Sequence, residues 1–261
     1  MKKIEDINEL RNIQMGILDN VHRFCQERGL TYFLSSGSLI GAVRHGGYIP
    51  WDDDIDIYML RTDYERLMSE YTSEGHYKLL DPDKEQSYYY TFAKMIDTRT
   101  LMVEDETTGY QIGVYIDIFP IDYVPDDEQE RLRVYKKKRL LYKIRRCKIS
   151  KECCLHSPLA YWCYKLLPIS AAQITRMIAN IITNKQPTQY ACNMTEAGPH
   201  ISHCFPSACM DDTIDIKFED RTYRTMVGYK KYLSCTYGDY MTLPPEEERQ
   251  THKFKAYWKD S

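Results

Sequence analysis

The sequence predicts an α+β protein whose first half is built around a mixed sheet, and three observations lead there. Residues 3–28 carry Ile4, Ile7, Leu10, Ile17, Val21 and Phe24 at helical spacing, with Gly29 as the stop. The apolar Tyr32-Phe33-Leu34 then runs into Ser35-Ser36-Gly37-Ser38, which opens the short helical stretch Ser38–Arg44. Finally, in Trp51-Asp52-Asp53-Asp54-Ile55-Asp56-Ile57-Tyr58 acid and apolar residues alternate, the period of a half-buried strand.

Taken in order, these signals give a helix over 3–28, a strand over 31–34 and a helix over 38–45. A loop over 46–53, containing Gly46, Gly47 and Pro50, lets the chain fold back. A strand over 54–60 follows. Thr62-Asp63-Tyr64-Glu65 has the form of a capping box, which predicts a helix from about 63 to 73. Asp81-Pro82-Asp83-Lys84 reads as a turn, and strands are expected at 88–96, 100–104 and 112–119.

After Pro125 the composition changes. Asp126-Asp127-Glu128 places acids at the start of a helix, where they favour its N-terminal dipole. This helix runs on through Tyr135-Lys136-Lys137-Lys138-Arg139 and Lys143-Ile144-Arg145-Arg146, and residues 157–184 read as apolar and helical with a break near Pro168. Residues 213–225 form a hairpin pattern, and a last helix covers about 228–237. The chain therefore divides into an α+β core over 1–125, a helical subdomain or insertion over 126–200 and a C-terminal block over 201–261 that packs back on the core.

Composition narrows the function. A chain of 261 residues buries a sizeable core. A net charge of −3 argues against a dedicated nucleic-acid binder. The polar Glu5-Asp6-Ile7-Asn8-Glu9 after Lys2-Lys3 is unlike a signal peptide, and no stretch reaches the roughly 18 apolar residues of a membrane span. A cytoplasmic protein is expected. Nine cysteines without an export signal read as reduced thiols rather than a disulfide framework. Neither the Cys147, Cys153, Cys154, His156 group nor the His200, His203, Cys204, Cys209 group has the spacing of a common zinc site. The basic face over 136–148 is either a solvated helix face or a peripheral contact with anionic lipid.

The acidic run carries chemistry if its carboxylates converge. On a strand, Asp54 and Asp56 share one face while Ile55 and Ile57 enter the core. Two like charges at that spacing repel unless a cation lies between them, and paired hard oxygens suit Mg²⁺ or Mn²⁺ carrying substrate phosphates. The other reading is a solvated acidic turn. Gly37 allows the backbone close approach to a phosphate, and the Ser38 hydroxyl and N–H are positioned to bind one at a helix start. Arg44 is placed to clamp a phosphate or to pair with a nearby acid, and His45 to brace the loop. Asp52 would orient the loop from behind the metal pair.

Gly37-Ser38 followed by Arg44-His45-Gly46-Gly47-Tyr48-Ile49-Pro50-Trp51-Asp52-Asp53-Asp54-Ile55-Asp56 resembles the signature of the LicD-type phosphotransferases. Gly113-Val114-Tyr115-Ile116-Asp117-Ile118-Phe119-Pro120 resembles the family's third block, and Tyr237-Gly238-Asp239-Tyr240-Met241 with Leu243-Pro244-Pro245 its closing block. The resemblance implies a nucleotidyltransferase fold of the polymerase-beta type and a third carboxylate at Asp117, with Asp122 as a second candidate. It places Lys94 at a basic position near the phosphates; a solvated strand lysine is the alternative. Tyr237, Asp239 and His252 are either acceptor contacts or packing. The implied activity is Mg²⁺-dependent transfer of a phospho-alcohol such as phosphocholine from a CDP-linked donor to a sugar hydroxyl of a surface glycan or its lipid-linked precursor. A nucleotidyltransferase releasing pyrophosphate, or a binding protein that has lost catalysis, would carry much of the same pattern.

Overall fold

A computed structural model describes residues 1–82, 84, 88, 90–105, 110–150, 153–195, 203–249 and 255–260. Its described strands are β1 (Lys2–Ile4), β2 (Phe33–Leu34), β3 (Asp56–Leu60), β4 (Tyr77–Leu80), β5 (Ala93–Asp105), β6 (Tyr110–Val124), β7 (Tyr190–Asn193), β8 (Phe205–Pro206), β9 (Thr213–Phe218), β10 (Arg221–Met226) and β11 (Ala256–Trp258). The helices are α1 (Ile7–Arg28), α2 (Ser36–His45), α3 (Arg61–Glu70), α4 (Glu128–Ile149), α5 (Pro158–Leu166), α6 (Ala171–Ile182) and α7 (Tyr229–Tyr237).

The main sheet has the order β1-β11-β5-β6-β3-β2, with β4 on β5 and the β7–β8 pair on β6. Only β3 and β6 run parallel; the other pairings are antiparallel, so the sheet is mixed as expected. One register decides the chemistry. Asp56 of β3 lies beside Asp117 of β6, and Lys94 of β5 lies on Asp117's other side. Period-2 alternation then sorts the two faces. Ile55, Ile57, Ala93, Met95, Val114, Ile116 and Ile118 face the core under α1. Asp56, Lys94 and Asp117 occupy the opposite face.

α1 begins with the Asp6 carboxylate accepting from the Asn8 N–H and ends at Gly29 in the left-handed region (φ 61°). It starts four residues later than its periodicity suggests, because Lys2–Ile4 are drawn into the sheet by β11. That partner lies some 250 residues away, and helical spacing carries no trace of it. α3 also departs from expectation. It starts directly from β3 at Arg61, and no side chain caps it. The Asp63 carboxylate accepts from the Thr31 N–H instead, tying α3 to the turn after α1. The strands expected at 88–96 and 100–104 are one strand, β5, with an irregularity between Asp97 and Met102.

α4, α5 and α6 follow the predicted helical stretch, with the break at 167–170. Ile174, Ile178 and Ile182, at i, i+4 and i+8, pack with Leu141, Val124 and Cys192 into a separate cluster. The β7 strand of this region carries no sequence signal that we could read. β6 does not end at Pro120. β5 pairs with it as far as Ile118 and β7 takes over at Ile121, so the missing N–H of Pro120 falls between the two ladders.

Asp122 therefore stays on the strand, fully buried, where Arg61 holds it through two hydrogen bonds of 2.9 and 2.5 Å. It also accepts from the Asn184 N–H. This pair locks α3 and the 126–195 region onto β6, and it does not line the acidic cleft described below. Arg61→Met is expected to destabilise the protein by about 3–5 kcal/mol, because it strands a buried carboxylate. Arg61→Met combined with Asp122→Leu should recover most of the loss in urea denaturation. If the double variant is no more stable than the single one, the pair contributes more than charge compensation.

Candidate active site

The site grows from the turn between β2 and α2. α2 starts at Ser36, two residues earlier than expected, with Ser35 extended before it. Ser36 has φ 49°, a left-handed conformation that a non-glycine residue holds only where its surroundings enforce it. The Ser36 N–H donates to the Tyr232 hydroxyl (3.3 Å) and its hydroxyl to that of Tyr58 (3.3 Å), so β3 and α7 both hold the turn.

Gly37 leaves room for the Asp52 carboxylate. A Cβ there would lie 2.8 Å from the Asp52 Oδ2. Ser38 is buried, and its hydroxyl accepts from the Asp56 N–H at 2.9 Å. It fixes the Asp-x-Asp backbone rather than facing the cleft. Ser36, not singled out by sequence reasoning, lines the cleft in its place.

The loop from α2 to β3 is fastened from below. The Arg11 guanidinium donates to the carbonyls of Ile49 (3.0 Å), Pro50 (3.1 Å) and Asp52 (2.6 Å), and Gln14 donates to that of Asp53 (2.7 Å). Three of the four acids of the run, Asp52, Asp54 and Asp56, are thereby turned into one cleft of about 360 Å³. Asp53 is buried away from it. Asp54 precedes the strand, yet the alternation holds: Ile55 and Ile57 are fully buried, and the Ile55 carbonyl accepts from the Asp117 N–H (2.8 Å). Ser36, Gly37, Tyr58, Asn193, His203, Tyr232 and Tyr237 contribute to the same walls. Tyr58 was legible in principle, two residues beyond Asp56 on the same strand face. Asn193 and His203 come from a region without a readable motif.

The described lining of this cleft contains three carboxylates and no lysine or arginine. A phosphate cannot enter such a cleft at low cost unless a cation enters with it. The donors are hard oxygens, the set that suits Mg²⁺ or Mn²⁺. No group of three or more acidic, histidine or cysteine side chains among the described residues is drawn tightly enough together to hold an ion as it stands. The third acid explains part of this.

Asp117 is turned to Lys94, whose ammonium lies 2.6 Å from its Oδ1. Lys94 is buried, 3.4 Å from the centre of the Tyr115 ring and 4.2 Å from that of Tyr90, so π faces as well as the carboxylate hold its charge. Burial pushes the Asp117 carboxyl up to about 6, against the pull of Lys94. Burial likewise lowers Lys94, against the pull of Asp117. Lys94 thus serves Asp117 directly.

Of the remaining described sequence candidates, Tyr237 alone lines the cleft. Arg44 donates to the carbonyls of Tyr240 (2.9 Å) and Thr242 (3.4 Å), clamping the C-terminal block, and donates to His45 Nε2 (3.0 Å). His45 braces the loop against Trp51, with ring centroids 6.4 Å apart. Tyr237 reaches the cleft, whereas Asp239 binds Thr242 within its own turn. His252 and His200 lie outside the described residues. All nine cysteines are free, with the Cys147 and Cys154 sulfurs 3.7 Å apart.

A family model described as "LicD/FKTN/FKRP, nucleotidyltransferase domain" matches residues 29–158, the stretch that supplies the cleft's carboxylates, Asp117 and Lys94. Over 97% of its length the chain is 31% identical to 97% of the lipopolysaccharide cholinephosphotransferase LicD of Haemophilus influenzae. The chain belongs to the LicD family. A more distant likeness is to an uncharacterised protein of Rickettsia typhi, 25% identical over 46% of this chain and 38% of that one. A third is confined to 29 residues, 59% identical, of the human ribitol 5-phosphate transferase FKRP, which is 11% of this chain and 6% of that one.

Ser38→Ala leaves the Asp56 N–H without its acceptor. It is expected to lower stability by about 1–3 kcal/mol in chemical denaturation, the cost of a buried unsatisfied donor. An unchanged midpoint would mean that Ser38 does not anchor the Asp-x-Asp strand.

Proposed function

We propose that the protein is a phosphotransferase that moves phosphocholine, or a similar phospho-alcohol, from a CDP-linked donor to a sugar hydroxyl of a surface glycan or its precursor. The observation that carries this reading is the acidic cleft with its three carboxylates, set one strand away from a buried acid–lysine pair. Family membership supports the reaction class, transfer of a phosphate-containing group. The Haemophilus relative, matched end to end, supports choline phosphate as the group and lipopolysaccharide as the kind of acceptor. The mixed sheet and the β2–turn–α2–β3 order support a fold of the nucleotidyltransferase type.

In this reading Asp54 and Asp56 hold Mg²⁺ or Mn²⁺, with Asp117 as the third acid of the site. When bound, the ion neutralises the donor's diphosphate and polarises the transferred phosphoryl group. The protein supplies the rest. Gly37 and the Ser36 turn give the phosphates close access to backbone. The acceptor hydroxyl oxygen attacks the phosphorus that carries choline, the bond from that phosphorus to the cytidine monophosphate oxygen breaks, and cytidine monophosphate leaves. The hydroxyl proton passes to Asp117, whose raised carboxyl is suited to take it near neutral pH. Lys94 then stabilises the site by keeping its ammonium beside the carboxyl group.

No described helix is long and apolar enough to cross a membrane. We place the reaction in the cytoplasm, with any bilayer contact peripheral.

Asp56→Asn is expected to abolish transfer while leaving the melting temperature near that of the wild type, since the acid adds repulsion rather than packing. Chelation should abolish transfer in the wild type, and added Mg²⁺ should restore it. Chromatography of the products from CDP-choline should show cytidine monophosphate; release of pyrophosphate from CTP instead would identify a nucleotidyltransferase.

A further inference from the structure

A second cavity, of about 460 Å³, opens on the far side of Asp117. That volume is in the range of small-ligand sites. One wall comes from the sheet and the segment leading into it, with Lys94, Tyr115, Asp117 and Tyr90; the other comes from α4. Arg139, Tyr142, Lys143, Arg146 and Ile149 recur on α4 at three- and four-residue steps, which brings them onto one helix face. Arg139, Lys143 and Arg146 are exposed, and none makes an ion pair with a described residue. Much of the basic character of 136–148 is thus directed into a pocket.

The two cavities share one row of the sheet. Asp56 lines the acidic cleft, Asp117 lines the basic pocket, and they are neighbours in register on β3 and β6. Adjacent strands are about 4.8 Å apart, so a group entering from one cavity meets a group entering from the other at this pair. The electrostatics differ in sign: carboxylates without lysine or arginine on one side, three available cations on the other. A donor phosphate that arrives with a divalent ion suits the first. The second suits a ligand that brings a negative charge of its own, and its tyrosine faces suit the C–H faces of a sugar ring.

We propose that this pocket is the acceptor subsite and that it takes an anionic saccharide, a sugar bearing phosphate or carboxylate close to the hydroxyl that reacts. The anion is held by Arg139, Lys143 and Arg146, the ring lies against Tyr90 and Tyr142, and the hydroxyl points to Asp117. The assignment of donor and acceptor sides rests on the function proposed above; the selectivity of the pocket for anions does not.

Ligand-observed saturation-transfer NMR on the full chain, with glucose 6-phosphate, glucuronate and glucose, tests the proposal. Both anions should bind the wild type, with glucose at least about tenfold weaker. The exposed triple variant Arg139→Ala/Lys143→Ala/Arg146→Ala should lose at least about tenfold in affinity for both anions. Its affinity for CDP-choline with Mg²⁺, measured by calorimetry without acceptor, should be unchanged.

No binding of either anion, binding of glucose as tight as theirs, or full affinity in the variant overturns the proposal. A parallel loss of CDP-choline affinity overturns it too, because the cations would then serve the donor. So does a variant that keeps the sugars but no longer sediments with phosphatidylglycerol vesicles, since the stripe would then be a membrane face. If the wild type binds the anions at these cations but never binds CDP-choline, the donor reading fails and the anion site stands.

Discussion

The parallel pairing of β3 with β6 is the constraint on which the rest of this molecule depends. It places Asp56 beside Asp117, and the antiparallel β5 places Lys94 on Asp117's other side. Three ionisable groups from three separated segments thus form one row across the sheet. A shift of either strand by one residue would exchange its acids with its isoleucines, since neighbouring side chains face opposite ways. The α1 core prevents that shift: Ile55, Ile57, Ile116 and Ile118 are fully buried beneath the helix. Burial of the apolar side of the sheet is therefore what holds the charged side in register.

Around that row the protein handles charge in two ways. Asp117 is neutralised internally by Lys94, at the cost of burying both groups, and the aromatic rings about the ammonium recover part of that cost. Asp52, Asp54 and Asp56 are left facing an open cleft whose described walls bring no lysine or arginine. Their backbone is fixed instead, by Arg11, Gln14 and Ser38 acting on carbonyls and an N–H. The loop keeps its shape without the Arg11 guanidinium entering the cleft.

Much of this arrangement was legible in the sequence, because it is written in local patterns. The alternation of Asp54 to Ile57 gave the shared face. The Gly-Ser turn gave the position of α2 to within two residues, and the strand around Asp117 was read within the bounds of β6. What was not legible depends on contacts between distant segments. Ser38 looked like a phosphate ligand, yet its hydroxyl faces the Asp56 N–H across the β2–β3 pair. Arg44 looked like a phosphate clamp, but the carbonyls near Tyr240, almost 200 residues on, claim it. Lys3 and Ile4 fall within the helical period, yet β11 takes them into the sheet. The basic helix read as a solvated or lipid-facing stripe, and only its packing shows that it walls a cavity.

That wall has a consequence for how proteins built this way diversify. The carboxylates and Asp117 come from motif-bearing segments, whose residue types are dictated by the geometry of the chemistry. Arg139, Lys143 and Arg146 come from α4, a helix whose own register is set by Tyr135, Lys138, Leu141 and Arg145 turned inward. These three exposed residues can change one at a time without disturbing the helix's packing. If the pocket is the acceptor subsite proposed above, reaction and acceptor choice are encoded in separable stretches of the chain. Drift along α4 would then redirect the enzyme to a new glycan while the row of Asp56, Asp117 and Lys94 stays as it is.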